Sequence, residues 1–195
     1  VPAPTPRVVD RTGRAFADWW SRAVARLLDA AIVLIGGMSL VVILTANGIA
    51  PVRRVVSIDR ATGVVTTTDV LTHAGWIFAG LVLLVLWLGY FSLFDGSRHG
   101  QTPGKRVAGI QVRDRATGEA MGAARALARE ALVLGFWCVL VLGGVVDALS
   151  PLWDRCNQSL HDRIVGSVVV EVSPLPPGHP RISARDPGSP GSPGT

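Results

Sequence analysis

Acidic side chains are scarce in this sequence, and a few of them stand where ionisation is costly. Asp29 directly precedes a stretch, residues 30–52, that holds no Asp, Glu, Lys or Arg. The apolar helix from Ala30 to Ala46 would be only about 25 Å long at 1.5 Å per residue, short of the ~30 Å hydrocarbon core of a bilayer. A membrane-crossing helix here must recruit its preceding turn and draw Asp29 into the hydrocarbon edge. A carboxylate at the bilayer centre costs about 2.5–3.5 kcal/mol and less near the interface, a cost that calls for a partner or a protonated form. Arg22, Arg26 and Asp29 are spaced four and three residues apart and so share a helix face, with Arg26 the nearest cation. Two chemistries fit this spacing. The favoured one is an ion pair that fixes helix depth; the other is an intramembrane carboxylate that binds a cation or a proton. Asp147, which follows Gly143-Gly144, poses the same choice more weakly.

Other reactive groupings fail on spacing. Lys105 lies in a His99–Arg106 segment that grazes a phosphate-binding loop, but His99 replaces its first glycine and Arg106 its magnesium-binding hydroxyl. The four histidines, His73, His99, His161 and His179, have no metal-ligand spacing. His161-Asp162 suits a cap or a hydrogen-bonded turn better than half of a catalytic pair. Cys138 and Cys156 have neither metal nor redox spacing, and no disulfide is expected. Neither an enzyme nor a metal nor a cofactor is therefore expected.

The elements that must position these groups are written in the composition. The chain has 195 residues, 49% hydrophobic and 17% charged, against about 25% charged for soluble proteins, and its mean hydropathy is +0.40. Residues 30–52 and 70–94 carry no acid, Lys or Arg apart from Asp69 just outside the second, and each exceeds the ~20 residues a spanning helix needs. A third such stretch, residues 131–146, is shorter and broken by Gly143-Gly144; it reaches Trp153 at the cost of Asp147. A cleaved signal peptide fits the first stretch poorly, because it is long, late and follows Asp29. Arg7, Arg11, Arg14, Arg22 and Arg26 precede the first stretch, and Lys105, Arg106, Arg125 and Arg129 belong to a basic loop after the second. Only Arg53, Arg54 and Arg60 lie between them, so the N-terminus and the basic loop are expected in the cytoplasm and residues 47–72 outside. The net charge of +5 and pI near 10.5 then reflect topology and contact with anionic lipid. Nucleic acid is not an expected partner.

Between the apolar stretches, Asp59-Arg60-Ala61-Thr62-Gly63 separates two β-prone runs, and the same five residues recur at Asp114–Gly118 after a strand-like 109–113. A terminal glycine suits the positive φ of a hairpin closed with a bulge, so small β-hairpin loops are expected at both places. Residues 167–172 form a further candidate strand and residues 123–130 a candidate helix. Residues 1–17 read as a flexible segment, 18–172 as the transmembrane domain, and 173–195, rich in Pro, Gly and Ser, as a disordered tail.

Four segments in order carry a family resemblance. Arg22 followed seven residues later by Asp29 resembles the opening of the RDD family. Gly100-Gln101-Thr102-Pro103-Gly104-Lys105-Arg106, with Gly109-Ile110-Gln111-Val112 after it, resembles that family's central motif. Arg125-Ala126-Leu127-Ala128-Arg129 is similar to its next stretch, and Leu160-His161-Asp162 through Val165-Gly166-Ser167 to its close. The departures are Pro103 in place of an apolar residue and Val165-Gly166-Ser167 in place of Ala-Gly-Thr. The resemblance covers residues 18–172 and implies that Arg22, Asp29 and Asp162 are the residues the family is named for. It implies a membrane protein, with sodium/proton antiport linked to some members.

The expected fold is an all-α membrane protein with three hydrophobic helical segments. Two topologies stand for the third: a full crossing, slightly favoured, and a re-entrant hairpin turning at Gly143-Gly144. In the re-entrant version the strands at 109–113 and 167–172 share one side, and Arg22 can meet Asp162. The expected function is that of an accessory or scaffold subunit in the plasma membrane, partnered by lipid and other membrane subunits. The alternative is an ion-coupled transporter using Asp29 with Asp147 or Asp162.

Overall fold

A computed structural model describes residues 7–139, 141–154, 156–176 and 178–183. In chain order the elements are β1 (Arg7–Val9), α1 (Trp19–Ala46), β2 (Val52–Ile58), β3 (Val65–Leu71), α2 (His73–Asp95), α3 (Pro103–Val107), β4 (Ile110–Asp114), α4 (Ala123–Val139), α5 (Val141–Leu149), α6 (Leu160–Val165), β5 (Ser167–Glu171) and β6 (Arg181–Ser183). A 3₁₀ turn, Ser150–Leu152, follows α5.

Helix boundaries follow local chemistry. The Asp18 carboxylate accepts from Ser21 N at 2.7 Å and caps α1, and Gly48, at φ +70°, ends it in the left-handed conformation. The Thr72 hydroxyl caps α2 through Gly75 N at 3.1 Å. Thus α1 begins ten residues ahead of Asp29, which places the carboxylate inside the helix rather than at its start.

The chain divides into two units, residues 30–89 and the remainder. In the first, β2 and β3 pair antiparallel from Val52↔Leu71 to Ile58↔Val65, and the 59–63 turn closes with Gly63 at φ +67°. Gly37 of α1 lies against Leu83 and Leu86 of α2, where a Cβ would meet Leu83 Cδ2 at 2.4 Å. Both α1 and α2 are long and apolar enough to cross a membrane, yet only 22% and 17% of their most apolar windows are buried. Ile35, Val42, Ile77 and Val85 are among the exposed side chains. A helix apolar all round is at home in a protein core or in lipid, and so little of either helix is covered by protein that a core does not account for them.

The second unit is built on the antiparallel ladder of β4 with β5, from Ile110↔Glu171 to Asp114↔Ser167. Ala17, Ala25, Ile110, Val112, Met121, Ala126 and Val169 form its principal apolar cluster. The recurring 114–118 turn has Gly118 at φ +77°, but the chain goes from it into α4, and β4 finds its partner in β5 instead of a hairpin strand. The third apolar stretch contributes two described helices, α4 and α5. Gly144 serves packing: a Cβ there would meet the Trp137 ring at 2.3 Å. The ladder brings the strands on either side of the third apolar stretch together, the pairing that belongs to the re-entrant version and not to the slightly favoured full crossing.

The ends of the described chain are also folded. Parallel pairing joins β1 to β6, Ala17 N donates to Val169 O at 3.0 Å, and Val9, Ala15 and Leu175 cluster. Residues 7–17 and 173–183 therefore depart from the flexible ends expected of them, because backbone donors along β5 and an apolar cluster give these short segments partners. The remainder of both ends lies outside the described residues.

Candidate functional site

The site is a chain of buried charges in the second unit, and it grows from the first turns of α1. Asp29, fully buried, does not turn to Arg26. Its carboxylate accepts from Tyr90 Oη at 2.8 Å and Gly104 N at 2.8 Å, and from the Thr102 hydroxyl. Among the described residues it has no ion pair. Thr102 caps α3, accepting from Lys105 N at 3.2 Å, so one carboxylate anchors the Gln101–Lys105 segment through its cap and its backbone. Gly104 is required by proximity, since a Cβ would stand 2.4 Å from Ala25 O.

Holding that segment against α1 buries Lys105, whose ammonium bonds both oxygens of Asp95 at 2.5 Å. Asp95 ends α2 and also accepts from Arg129 Nη1 at 3.1 Å. Arg129 is the hub: Nε donates to Asp162 at 2.8 Å and Nη1 also to Glu130 at 3.0 Å. Glu130 in turn takes both Nη atoms of Arg26 at 2.8 and 3.2 Å. Asp162 accepts from Arg22 Nη1 at 3.1 Å and from the Ser167 hydroxyl at 2.8 Å. The side chains of Asp95, Glu130 and Asp162 are wholly buried.

Asp162 stands in the first turn of α6, where Ser159 is the cap. Burial pushes its carboxyl upward, but the charges of Arg129, His161 and Arg22 outweigh burial and hold it well below the usual carboxylate range. Burial works the other way on Lys105, lowering its ammonium against the opposing pull of Asp95. Asp147 is joined to α6 by His161, whose Nδ1 lies 2.7 Å from its carboxylate and whose backbone N donates to it at 3.0 Å.

The structure thus brings Arg22 and Asp162 into contact and sets Asp29 apart from them, on neutral donors. The expected pairing of Asp29 with Asp147 or Asp162 as joint ion ligands is not what the geometry shows: each has its own protein partners. The basic loop divides. Arg106 is exposed, Arg125 pairs with Asp114 and donates to Val165 O at 2.6 Å, while Lys105 and Arg129 are buried in the charge chain rather than turned to lipid. Sequence reasoning missed Asp95, Glu130, Tyr90, Thr102, Ser159 and Ser167, and underrated His161. A signal existed for the acids. Asp29, Asp95, Glu130 and Asp147 each stand directly at a border of a charge-free stretch.

A cavity of about 230 Å³ adjoins the charge chain, lined by Arg22, Arg26 and Arg129 and by the apolar Val133, Trp137 and Pro151. Among the described residues no group of three His, Cys, Asp or Glu side chains is arranged to hold a metal ion. Geometrically the site is a clasp: it joins the start of α1, the end of α2, α3, α4 and α6 through alternating charges, and leaves no carboxylate without a donor.

The model of the RDD family aligns with residues 16–166. No curated protein and no solved structure matches the chain.

Proposed function

The chain belongs to the RDD family, and from that premise we propose that it is an integral membrane protein acting without catalysis, as an accessory or scaffold subunit of a larger membrane assembly. The observation that carries this is the engagement of the family's two carboxylates by protein donors. Asp29 holds three donors from Tyr90, Thr102 and Gly104, and Asp162 holds Arg22, Arg129 and Ser167. A carboxylate that carries a cation must offer free lone pairs at the moment of binding, whereas three of the about four sites on each of these are spent on tying segments of the chain together.

In this reading α1 and α2 cross the plasma membrane, α4 and α5 form a helical hairpin that enters and returns, and the β4–β5 ladder lies with the N-terminus in the cytoplasm. The arginines before α1 and the basic segment after α2 support that orientation. Two crossing helices with little polar surface do not enclose a pore, which favours a partner over a stand-alone transporter.

Reconstituted vesicles test the proposal. Wild-type protein is expected to give no sodium- or pH-dependent flux, and purification in mild detergent to recover associated membrane subunits. Flux that Asp29→Asn abolishes would refute the proposal and establish an ion-coupled transporter instead.

A further inference from the structure

The cavity beside the charge chain has an asymmetric wall. The two carboxylates on it are engaged, Asp162 by Arg22 and Arg129 and Asp147 by His161, and their side chains are 0% and 3% exposed. Asp95 and Glu130, behind the cations, are 0% exposed. The cations retain surface: 13% for Arg22, 32% for Arg26, 8% for Lys105 and 7% for Arg129. The cavity therefore offers hydrogen-bond donors and hardly any acceptors.

Arg129 makes the point most sharply. It is buried, at 6% relative exposure, and its Nε and Nη1 are bonded to three carboxylates. Its Nη2, with two N–H groups, has no hydrogen-bond partner among the described residues, and the side chain lines the cavity. A guanidinium is always charged and presents its donors in a fixed fork, so the unmade edge of a buried one calls for an acceptor in the space it faces. Val133, Trp137, Ala148 and Pro151 also line the cavity, which suits an acceptor carried on an apolar body.

We propose that this cavity holds the phosphate of an anionic phospholipid headgroup, with Arg129 Nη2 as its central donor and Arg22 and Arg26 as flanking charges. A volume of about 230 Å³ falls below the ~300–1,000 Å³ of sites that engulf a drug-sized ligand. It accommodates a phosphodiester and leaves the acyl chains outside, along the apolar wall. Basic pockets between helices at the cytoplasmic face of a membrane recognise anionic headgroups through this chemistry.

The test uses the delipidated full chain in mild detergent, with native mass spectrometry of bound phosphatidylglycerol, phosphatidylcholine or inorganic phosphate. Phosphatidylglycerol is expected to bind about tenfold or more tightly than phosphatidylcholine: both bring the phosphodiester, but the quaternary ammonium of phosphatidylcholine is repelled by the three guanidinium groups, and about 1.4 kcal/mol of repulsion is that factor. Ala23→Phe, which fills the cavity without touching an ion pair, should abolish the preference while the thermal midpoint holds. Should that variant fail to fold, Ala148→Leu, also in the cavity lining, replaces it. Equal binding of the two lipids overturns the proposal, as does a preference unchanged in a folded cavity-filling variant. Inorganic phosphate that displaces phosphatidylglycerol at equal concentration overturns the lipid assignment and makes free phosphate the ligand.

Discussion

Replacing Arg129 by Met separates a structural role for this cation from a lipid-facing one. Arg129 touches Asp95, Glu130 and Asp162 together, at 3.1, 3.0 and 2.8 Å. Removing one partner of a buried ion pair typically costs about 3–5 kcal/mol, because the charge left behind has already lost its water. Here each carboxylate keeps a second cation, Lys105, Arg26 and Arg22 respectively, so the loss belongs near the lower end, about 3 kcal/mol. For a chain of this size that corresponds to a fall of about 6–12 °C in the thermal midpoint. The assay is thermal unfolding of the purified protein in mild detergent. Arg106→Met, from the same basic segment but exposed, is the control and should move stability by no more than about 0.5 kcal/mol. Asp162 adds a second readout. With Arg129 gone its carboxyl rises, so destabilisation on acidification should begin at a higher pH than in wild type. Equal shifts for Arg129→Met and Arg106→Met would refute the clasp and return Arg129 to the lipid surface.

Further outcomes follow from the same geometry. The depressed carboxyl of Asp162 stabilises the fold fully above the unfolded value of about 3.9 and loses that contribution as pH falls toward the folded value; the unfolding midpoint should therefore be flat from neutral pH to about 5 and drop below, a drop that chemical unfolding against pH would expose as absent if Asp162 were ordinary. Gly104→Ala should cost roughly 2 kcal/mol or more, since its Cβ would meet Ala25 O at 2.4 Å and Asp29 Cγ at 2.8 Å, whereas Gly80→Ala meets nothing within 4 Å and should leave stability level or improved; comparable losses for the two would show that the close approach of α3 to α1 is wrong. In a background lacking Cys138 and Cys156, Ser173→Cys and Arg106→Cys should react with an impermeant thiol reagent from the same side of sealed vesicles, and labelling from opposite sides would exclude the returning α4–α5 hairpin.

How legible is this fold in the residue order? The two helices long and apolar enough to cross a membrane are legible, because an uncharged stretch longer than ~20 residues is rare outside a bilayer. The strands at 110–114 and 167–171 are visible as β-prone runs, and their pairing belongs to one of the two topologies open to the sequence. The length of residues 131–153 points the other way, toward a crossing, and no local pattern announces the hydrogen bonds of the ladder. The turn sequence at 59–63 and 114–118 shows the same limit: both copies end in a glycine with positive φ, yet one closes a hairpin and the other leads into α4. Short-range chemistry specifies the turn, and the strand's partner comes from elsewhere.

The site divides along the same line. Residue order alone established that Asp29 and Asp147 border apolar stretches, that Arg22 and Asp29 share a helix face, and that the cations gather outside those stretches. These are consequences of period and of the cost of charge in hydrocarbon, which act on neighbours in the chain. It did not establish which charge meets which. Arg129 finds Asp95 and Asp162 at separations of 34 and 33 residues, and Asp29 finds Gly104 at 75. Lys105 and Arg129 look like lipid-facing cations in the sequence because each, taken with its neighbours, is simply basic. Only when α3, α4 and α6 pack against α1 do carboxylates from distant segments reach them, and desolvation then turns a set of surface charges into a buried clasp.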